Sequence, residues 1–237
     1  MRYADFDFQD NVKISSFLNI MQEAAGISGN ELGCGSKYLW PRKLGFIIAS
    51  NYLEVYKSVQ GDEVVTVKTW PLPPERIIFE RHYEMYNKAG EKVAAATSRW
   101  CLIDVESRKL LSPSALDQDY SIYNPAKALE FKDWKIQRVS LDGLTPAYTV
   151  KAGNTDCDYY KHVNNTRYAD FCFNCFTLEE LNKLNVQSFQ ISYEEQCLEG
   201  DILNFYRIPV SENEFIIVGV KQENKSFMRA KIVFSNK

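Results

Sequence analysis

The ten residues Asp156 to Asn165, DCDYYKHVNN, hold two carboxylates, two phenols, one of the chain's two histidines and two amides. Histidine exchanges its proton near neutral pH, so His162, four residues after Asp158, is a candidate general base with a carboxylate nearby. Apolar residues at helical spacing follow directly. A helix N-terminus offers unpaired N–H groups and a positive dipole end, both suited to an oxyanion. Base and oxyanion stabiliser together are the equipment of acyl-group hydrolysis. His82 stands in the alternating stretch FERHYEMY without such company and reads as a surface or packing residue.

The elements that must hold these residues appear twice. DFDFQDNVKISSFLNIMQEAA from Asp5 matches DCDYYKHVNNTRYADFCFNCF from Asp156, so Asp5, Asp7, Phe8 and Val12 correspond to Asp156, Asp158, Tyr159 and Val163. After each D-x-D, apolar residues recur with a period near 3.6: Ile14, Phe17, Leu18, Met21 and Ala25, then Tyr168, Phe171, Cys172 and Cys175. That period marks an amphipathic helix with one buried face, expected over about 14–27 and 164–178. Extended segments follow, each broken by Gly-Asp (Gly61-Asp62 and Gly200-Asp201). Hairpin turns are expected at Asn87–Gly90 and around Glu223–Ser226. Each half thus reads loop, helix and four strands, an α+β arrangement of antiparallel strands against a helix. The halves are expected to span 1–120 and 147–237. The polar, Pro-bearing, aperiodic stretch 112–146 lies between them, with 121–146 as the linker. Only the second copy has an imidazole: His162, Tyr160 and Asn164 stand where the first has Asn11, Gln9 and Lys13.

Composition removes other classes. Apolar residues at 45% and charged residues at 25% are ordinary globular usage, and a net charge of −3 disfavours nucleic acid and polybasic membrane binding. No apolar run approaches the roughly 18 residues of a membrane span. The N-terminal MRYADFDFQD lacks an apolar signal region, so a reduced, cytoplasmic setting is expected. Cys172 and Cys175 form one C-x-x-C, but two further zinc ligands are wanting, and both are expected as buried thiols on a helix face. No metal or cofactor is expected.

The run Asp158 to Tyr168, D-x-x-x-H-V-N-N-x-x-Y, resembles the signature of hot-dog thioesterases, in which an antiparallel sheet wraps a central helix. The paired halves, with LNIMQEAA (18–25), VTVKTWP (65–71), SRWCLID (98–104) and YEEQCLEGD (193–201), resemble the acyl-ACP thioesterases of plants and bacteria over nearly the whole chain. The resemblance implies two tandem hot dogs packed as a pseudo-dimer. It implies hydrolysis of the thioester between a fatty acyl chain and acyl carrier protein, with the acyl pocket shaped by the first half. Asp158 and His162 match the family's catalytic pair, and Cys197 matches a cysteine once assigned as nucleophile. Tyr160 departs from the family's Asn, and Gln196 from its Glu. Glu195 is not expected to replace that Glu, because adjacent strand residues face opposite ways. In the mechanism expected from these residues, N–H groups near Val163, Asn164 and Asn165 polarise the carbonyl, and His162 and Asp158 direct a water.

An acyl-CoA thioesterase, a hot-dog dehydratase and a catalytically weak acyl- or carrier-binding protein are the alternatives, with Tyr160 and Gln196 favouring the last. The expected partner is acyl carrier protein, with a homodimer left open. That carrier is acidic, so it should meet a local basic patch. Lys132, Lys135, Arg138, Arg76 and Arg81 are the candidates. AYTVKAGNTDCD precedes the second D-x-D with room for a strand, whereas only Met1–Ala4 precedes the first. Either the first sheet lacks an edge strand or the natural chain begins earlier.

Overall fold

The computed structural model describes residues 1–59, 61, 63–221 and 225–237. Asp62, Glu223 and Asn224, named above in the Gly-Asp pair and the second hairpin turn, lie outside the described residues. In the first half, α1 (Ile14–Glu31) and a short α2 (Ser36–Leu39) precede β1 (Leu44–Val55), β2 (Thr66–Pro71), β3 (Ile78–Tyr86) and β4 (Lys92–Asp104). The second opens with β5 (Tyr148–Lys151), then α3 (Arg167–Phe173), α4 (Leu178–Leu181), β6 (Leu184–Tyr193), β7 (Ile202–Pro209), β8 (Glu214–Lys221) and β9 (Lys225–Asn236). All pairings are antiparallel. The β3–β4 turn falls where expected, with the Gly90 N–H on the Asn87 carbonyl (3.0 Å) and Gly90 at φ +79°.

The antiparallel sheets expected around the two helices are joined edge to edge: among the described residues nine strands form one sheet in the order β2-β3-β4-β1-β6-β9-β8-β7-β5. Strands β1 and β6 join from Ser50↔Ser192 to Glu54↔Ser188, which removes an open edge from each half. One expectation is corrected: the second helix is shorter than 164–178. Val163 is extended, bridged to Cys157, and Asn164 Oδ1 accepts from the Thr166 N–H and hydroxyl (both 3.0 Å), so Asn164 shapes the turn before α3. At its other end, Thr177 caps α4 in a capping box with Glu180 and separates the two helices.

Both helices turn their apolar faces into one core. Ile14, Phe17, Leu18 and Met21 meet Tyr168, Ala169, Phe171 and Cys172 there, together with inward residues of every strand. The halves fill this core differently. The second packs phenylalanines: Phe171 on Phe205 (centroids 5.5 Å apart), Phe205 on Phe227 (5.6 Å) and Tyr168 on Phe227 (5.5 Å). A methyl group on Gly219 would lie 2.5 Å from Phe227, so no space is left beside that ring. In the first half three inward positions of β4 are small: Ala94, Ala96 and Ser98, all fully buried.

The segment after β4 crosses the outer face of the sheet. Phe131 stacks on Tyr52 (3.6 Å, 7°), Gln190 Nε2 donates to the Asp133 carbonyl (3.0 Å), and Ile136 packs on Ile216, Val218 and Val220. His82 is fully buried beneath it. Its Nδ1 accepts from the Ala128 N–H (3.2 Å) and its Nε2 lies 3.1 Å from Glu80, so it is a packing residue.

Candidate active site

The two D-x-D loops are built from the same hydrogen bonds. A single 3₁₀ turn opens each, Tyr3–Asp5 and Asn154–Asp156. The first acid receives the backbone N–H three residues before it, Arg2 on Asp5 (2.6 Å) and Gly153 on Asp156 (2.9 Å). Its carbonyl then receives the N–H eight residues later, Lys13 and Asn164 (both 2.9 Å). The second acid closes a tight turn. Asp7 Oδ1 accepts from the N–H groups of Gln9 (2.8 Å) and Asn11 (2.9 Å), and Asp158 Oδ1 from those of Tyr160 (2.8 Å) and His162 (3.4 Å). The turn needs a left-handed residue, supplied by Asp10 at φ 61° and Lys161 at φ 64°.

Within this frame Asp158 fixes the backbone of His162. One carboxylate oxygen is used for that, and the other has no protein donor among the described residues. His162 pairs with Leu198 across an antiparallel bridge, and the Val163 N–H donates to the Cys197 carbonyl (2.8 Å). That bridge brings the segment of Gln196, two residues before Leu198, alongside the loop of Asp158 and His162. The Gln196 side chain is exposed, and its carbonyl accepts from Lys221 Nζ (2.9 Å). Glu195 points elsewhere, to Lys225 and Lys221. The Lys225 hydrogen bond and the charge of both lysines hold its carboxyl below the ordinary range.

The oxyanion assignment narrows. The N–H groups of Val163 and Asn164 are occupied by Cys197 and Asp156, so neither can polarise a substrate. Among the described residues only the Asn165 N–H of the three has no protein acceptor. Cys197 is fully buried, and burial pushes its thiol up to about 11, so it stays protonated near neutral pH. Burial likewise takes Cys175 up to about 12; Cys172 and Cys175 both sit in the core, as expected.

Tyr160 has a partner that short-range sequence patterns do not reveal. Trp40, just after α2, donates its indole N–H to the Tyr160 hydroxyl (2.9 Å) and stacks on Tyr159 (5.4 Å, 9°). Trp40, Tyr159 and Tyr160 form a half-exposed aromatic clasp from the first half onto the second half's loop. A second link runs through Tyr193, whose hydroxyl donates to the Asn165 carbonyl (3.1 Å) and receives Asn51 Nδ2 at 3.4 Å.

Of the basic candidates, Arg81 is buried, with Nη1 on Ser28 Oγ and Thr69 Oγ1 (both 3.1 Å), and is withdrawn as a docking residue. Lys132, Lys135, Arg138 and Arg76 are exposed. Lys135 and Arg138 line an open cleft of about 370 Å³ with Trp134, Ile136, Ser192 and the ion-paired Glu194 and Arg229. Among the described residues, no helix is long and apolar enough to cross a membrane.

A tandem hot dog with one imidazole-bearing loop defines a class of two-domain proteins, and comparison narrows it. The family models described as acyl-ACP thioesterase N-terminal domain and acyl-ACP thioesterase C-terminal domain match residues 1–118 and 142–236. The chain belongs to the acyl-ACP thioesterase family. It is 24% identical over 218 residues to oleoyl-acyl carrier protein thioesterase 2, chloroplastic, of Arabidopsis thaliana, a match covering 86% of this chain and 59% of the other. It is 23% identical over 208 residues to the acyl-[acyl-carrier-protein] hydrolase FATB2, chloroplastic, of Cuphea viscosissima, covering 80% and 49%. The chain therefore spans about half to three fifths of the length of these curated relatives. The fold matches that of an acyl-ACP thioesterase from Bacteroides thetaiotaomicron with a TM-score of 0.88, at 24% identity over 99% of this chain and 94% of that one. For the 12:0-ACP thioesterase from Umbellularia californica the TM-score is 0.83, at 20% identity over 100% and 95%.

Proposed function

We propose that this chain hydrolyses the thioester between a fatty acyl group and acyl carrier protein, releasing the free acid. The second half supplies the reacting groups and the first half receives the acyl chain. The observation that carries this reading is the imidazole of His162 in a loop whose D-x-D turn repeats the hydrogen bonds of the first copy, where Asn11 has only an amide. Family membership supports thioester hydrolysis, and the relatives' names support the carrier protein. The small residues of β4 favour the first half as the acyl site, because the phenylalanines leave no such room in the second.

In the proposed reaction the Asn165 N–H polarises the thioester carbonyl. A water held by His162 and the free oxygen of Asp158 attacks the carbonyl carbon and gives its proton to one of these two groups. The tetrahedral intermediate collapses, the C–S bond breaks, and the leaving carrier thiolate takes that proton. Gln196 orients the water through its amide oxygen, since a neutral amide is no base. The acidic carrier docks over Lys135 and Arg138.

Turnover of a graded acyl-ACP series, beside the matching acyl-CoA series, tests this. Hydrolysis of acyl-ACP is expected. Faster turnover of acyl-CoA would replace the carrier in this reading. Tight binding of acyl-ACP without hydrolysis would make the protein a binding module.

A further inference from the structure

The first half contains a buried charge for which the described residues supply no counter-charge. On the inner face of the sheet, Asn51, Ser98 and Arg81 lie side by side on β1, β4 and β3, paired as Asn51↔Ser98 and Arg81↔Ser98. All three are at least nine-tenths buried. The next positions along the same face are Leu53, Ala96 and Tyr83, which belong to the core. In the second half the row related to it through the β1–β6 pairing reads Phe189, Ile232 and Phe215, with no charged group. The polar row is thus a property of the half with small residues.

Arg81 has no carboxylate within ion-pairing distance among the described residues, and its side-chain bonds run from Nη1 to the hydroxyls of Ser28 and Thr69. A guanidinium has five donors, and a buried cation without counter-charge or full hydrogen bonding is costly. Ser28 and Thr69 both line an open cleft of about 180 Å³ between α1 and β2, with Tyr123 and Asn124 on its walls, and Arg81 lies behind these two hydroxyls. At the other end of the row, buried Asn51 Oδ1 has no partner among the described residues, while Asn51 Nδ2 reaches the Tyr193 hydroxyl and through it the loop of His162. A buried guanidinium that uses only Nη1 keeps donors on Nη2 and Nε without a protein acceptor among the described residues, which suits a ligand that brings an acceptor oxygen.

We propose that the first half selects acyl chains carrying an oxygen function remote from the thioester, a hydroxyl, keto or carboxyl group, and that Arg81 is the residue that binds it. This rests on the reading of the chain as a thioesterase whose acyl group enters the first half. Arg81 donates to the chain's oxygen, and Ser28 and Thr69 hold the guanidinium toward the cleft. A plain alkyl chain would leave the same donors unmatched, and a site built to hydrogen-bond discriminates strongly against the analogue that lacks the group.

The test compares dodecanoyl-ACP with carrier-bound dodecanoyl chains bearing a mid-chain hydroxyl, a terminal hydroxyl or a terminal carboxyl. At least one oxygenated chain is expected to exceed the plain chain in kcat/KM by about tenfold, and Arg81→Met to abolish that ratio. Arg81→Lys should retain more of the ratio for the carboxyl chain than for the hydroxyl chains, which tells charge from hydrogen bonding. Should Arg81→Met fail to fold, Ser28→Ala, on a half-exposed helix position, is expected to reduce the same ratio. A wild-type ratio near one, or a ratio that the variants leave unaltered, overturns the proposal while the hydrolase reading stands. If no carrier-bound chain is cleaved, the hydrolase reading falls. Melting of the full chain with the free oxygenated and plain acids then decides: a Tm rise specific to oxygenated acids and lost in the variant supports the site, and its absence overturns it.

Discussion

In the first half, Asp7 gathers the N–H groups of Gln9 and Asn11, and the chain turns through left-handed Asp10. In the second, Asp158 gathers those of Tyr160 and His162 and turns through Lys161. The backbones are equivalent and the side chains are not. The first loop is tied down at Asn11, which receives the hydroxyl of Ser58, and at Gln9, whose Nε2 reaches Asn182 and the Leu181 carbonyl. The second presents an imidazole. The interiors contrast as well, with phenylalanines clustered in the second half and small residues on β4 of the first. A duplicated backbone can hence be differentiated by a handful of side chains, an imidazole in one loop and anchored amides in the other.

The largest expected effect breaks this contrast directly. A positioned acid or base contributes about 10²–10⁴ in rate, so His162→Ala should cost roughly 3–5 kcal/mol of transition-state stabilisation at unchanged fold. Asn11→Ala should leave kcat within a few-fold of wild type. Near-normal turnover by the His162 variant would end the assignment. Next comes the room in the first half. Ala96→Leu puts a larger side chain between Leu53 and Tyr83. It should destabilise by about 1–3 kcal/mol and shift the acyl-ACP profile toward shorter chains. A profile that does not move would place the acyl chain elsewhere.

A smaller effect is expected at Gln196. Gln196→Glu adds a titrating group in the segment bridged to the loop of His162. It should raise kcat several-fold with little change in KM and move the acid limb of the pH–rate profile. A fall in activity would mean that the site is adapted to the amide. The smallest concerns the clasp. Trp40→Phe keeps a ring against Tyr159 but removes the N–H to Tyr160, worth about 0.5–1.5 kcal/mol. It should lower kcat by no more than about tenfold. Tyr160→Phe should match it, and the double variant should add nothing further. Additive losses would show that the two rings act independently.

What was legible in the sequence is what short-range physics dictates. D-x-D with an amide or imidazole four residues on closes the same turn twice, and the 3.6 period marks the faces of α1 and α3 that are buried. Long-range pairing was not legible. The Val163 and Asn164 N–H groups look free beside a helix start, yet β-type bonds to Cys197 and Asp156 occupy them. Alternation along β3 implies that one of Arg81 and His82 faces solvent. Both are buried, since α1 covers one face of the sheet and the segment after β4 the other. Trp40 and Tyr160 are 120 residues apart, and no periodicity connects them.

The segment lying across the β1–β6 join has a consequence for how the molecule comes apart. Phe131 rests on Tyr52 of the first half, and the Asp133 carbonyl is held by Gln190 of the second, the two residues paired at the centre of that join. Parting the halves would strip this cover, open two sheet edges and expose a shared core at once. The halves therefore behave as one cooperative unit in unfolding. A single denaturation transition, coincident by tryptophan fluorescence and far-UV dichroism, is the expected signature. Two separated transitions would mean that each half keeps a stability of its own.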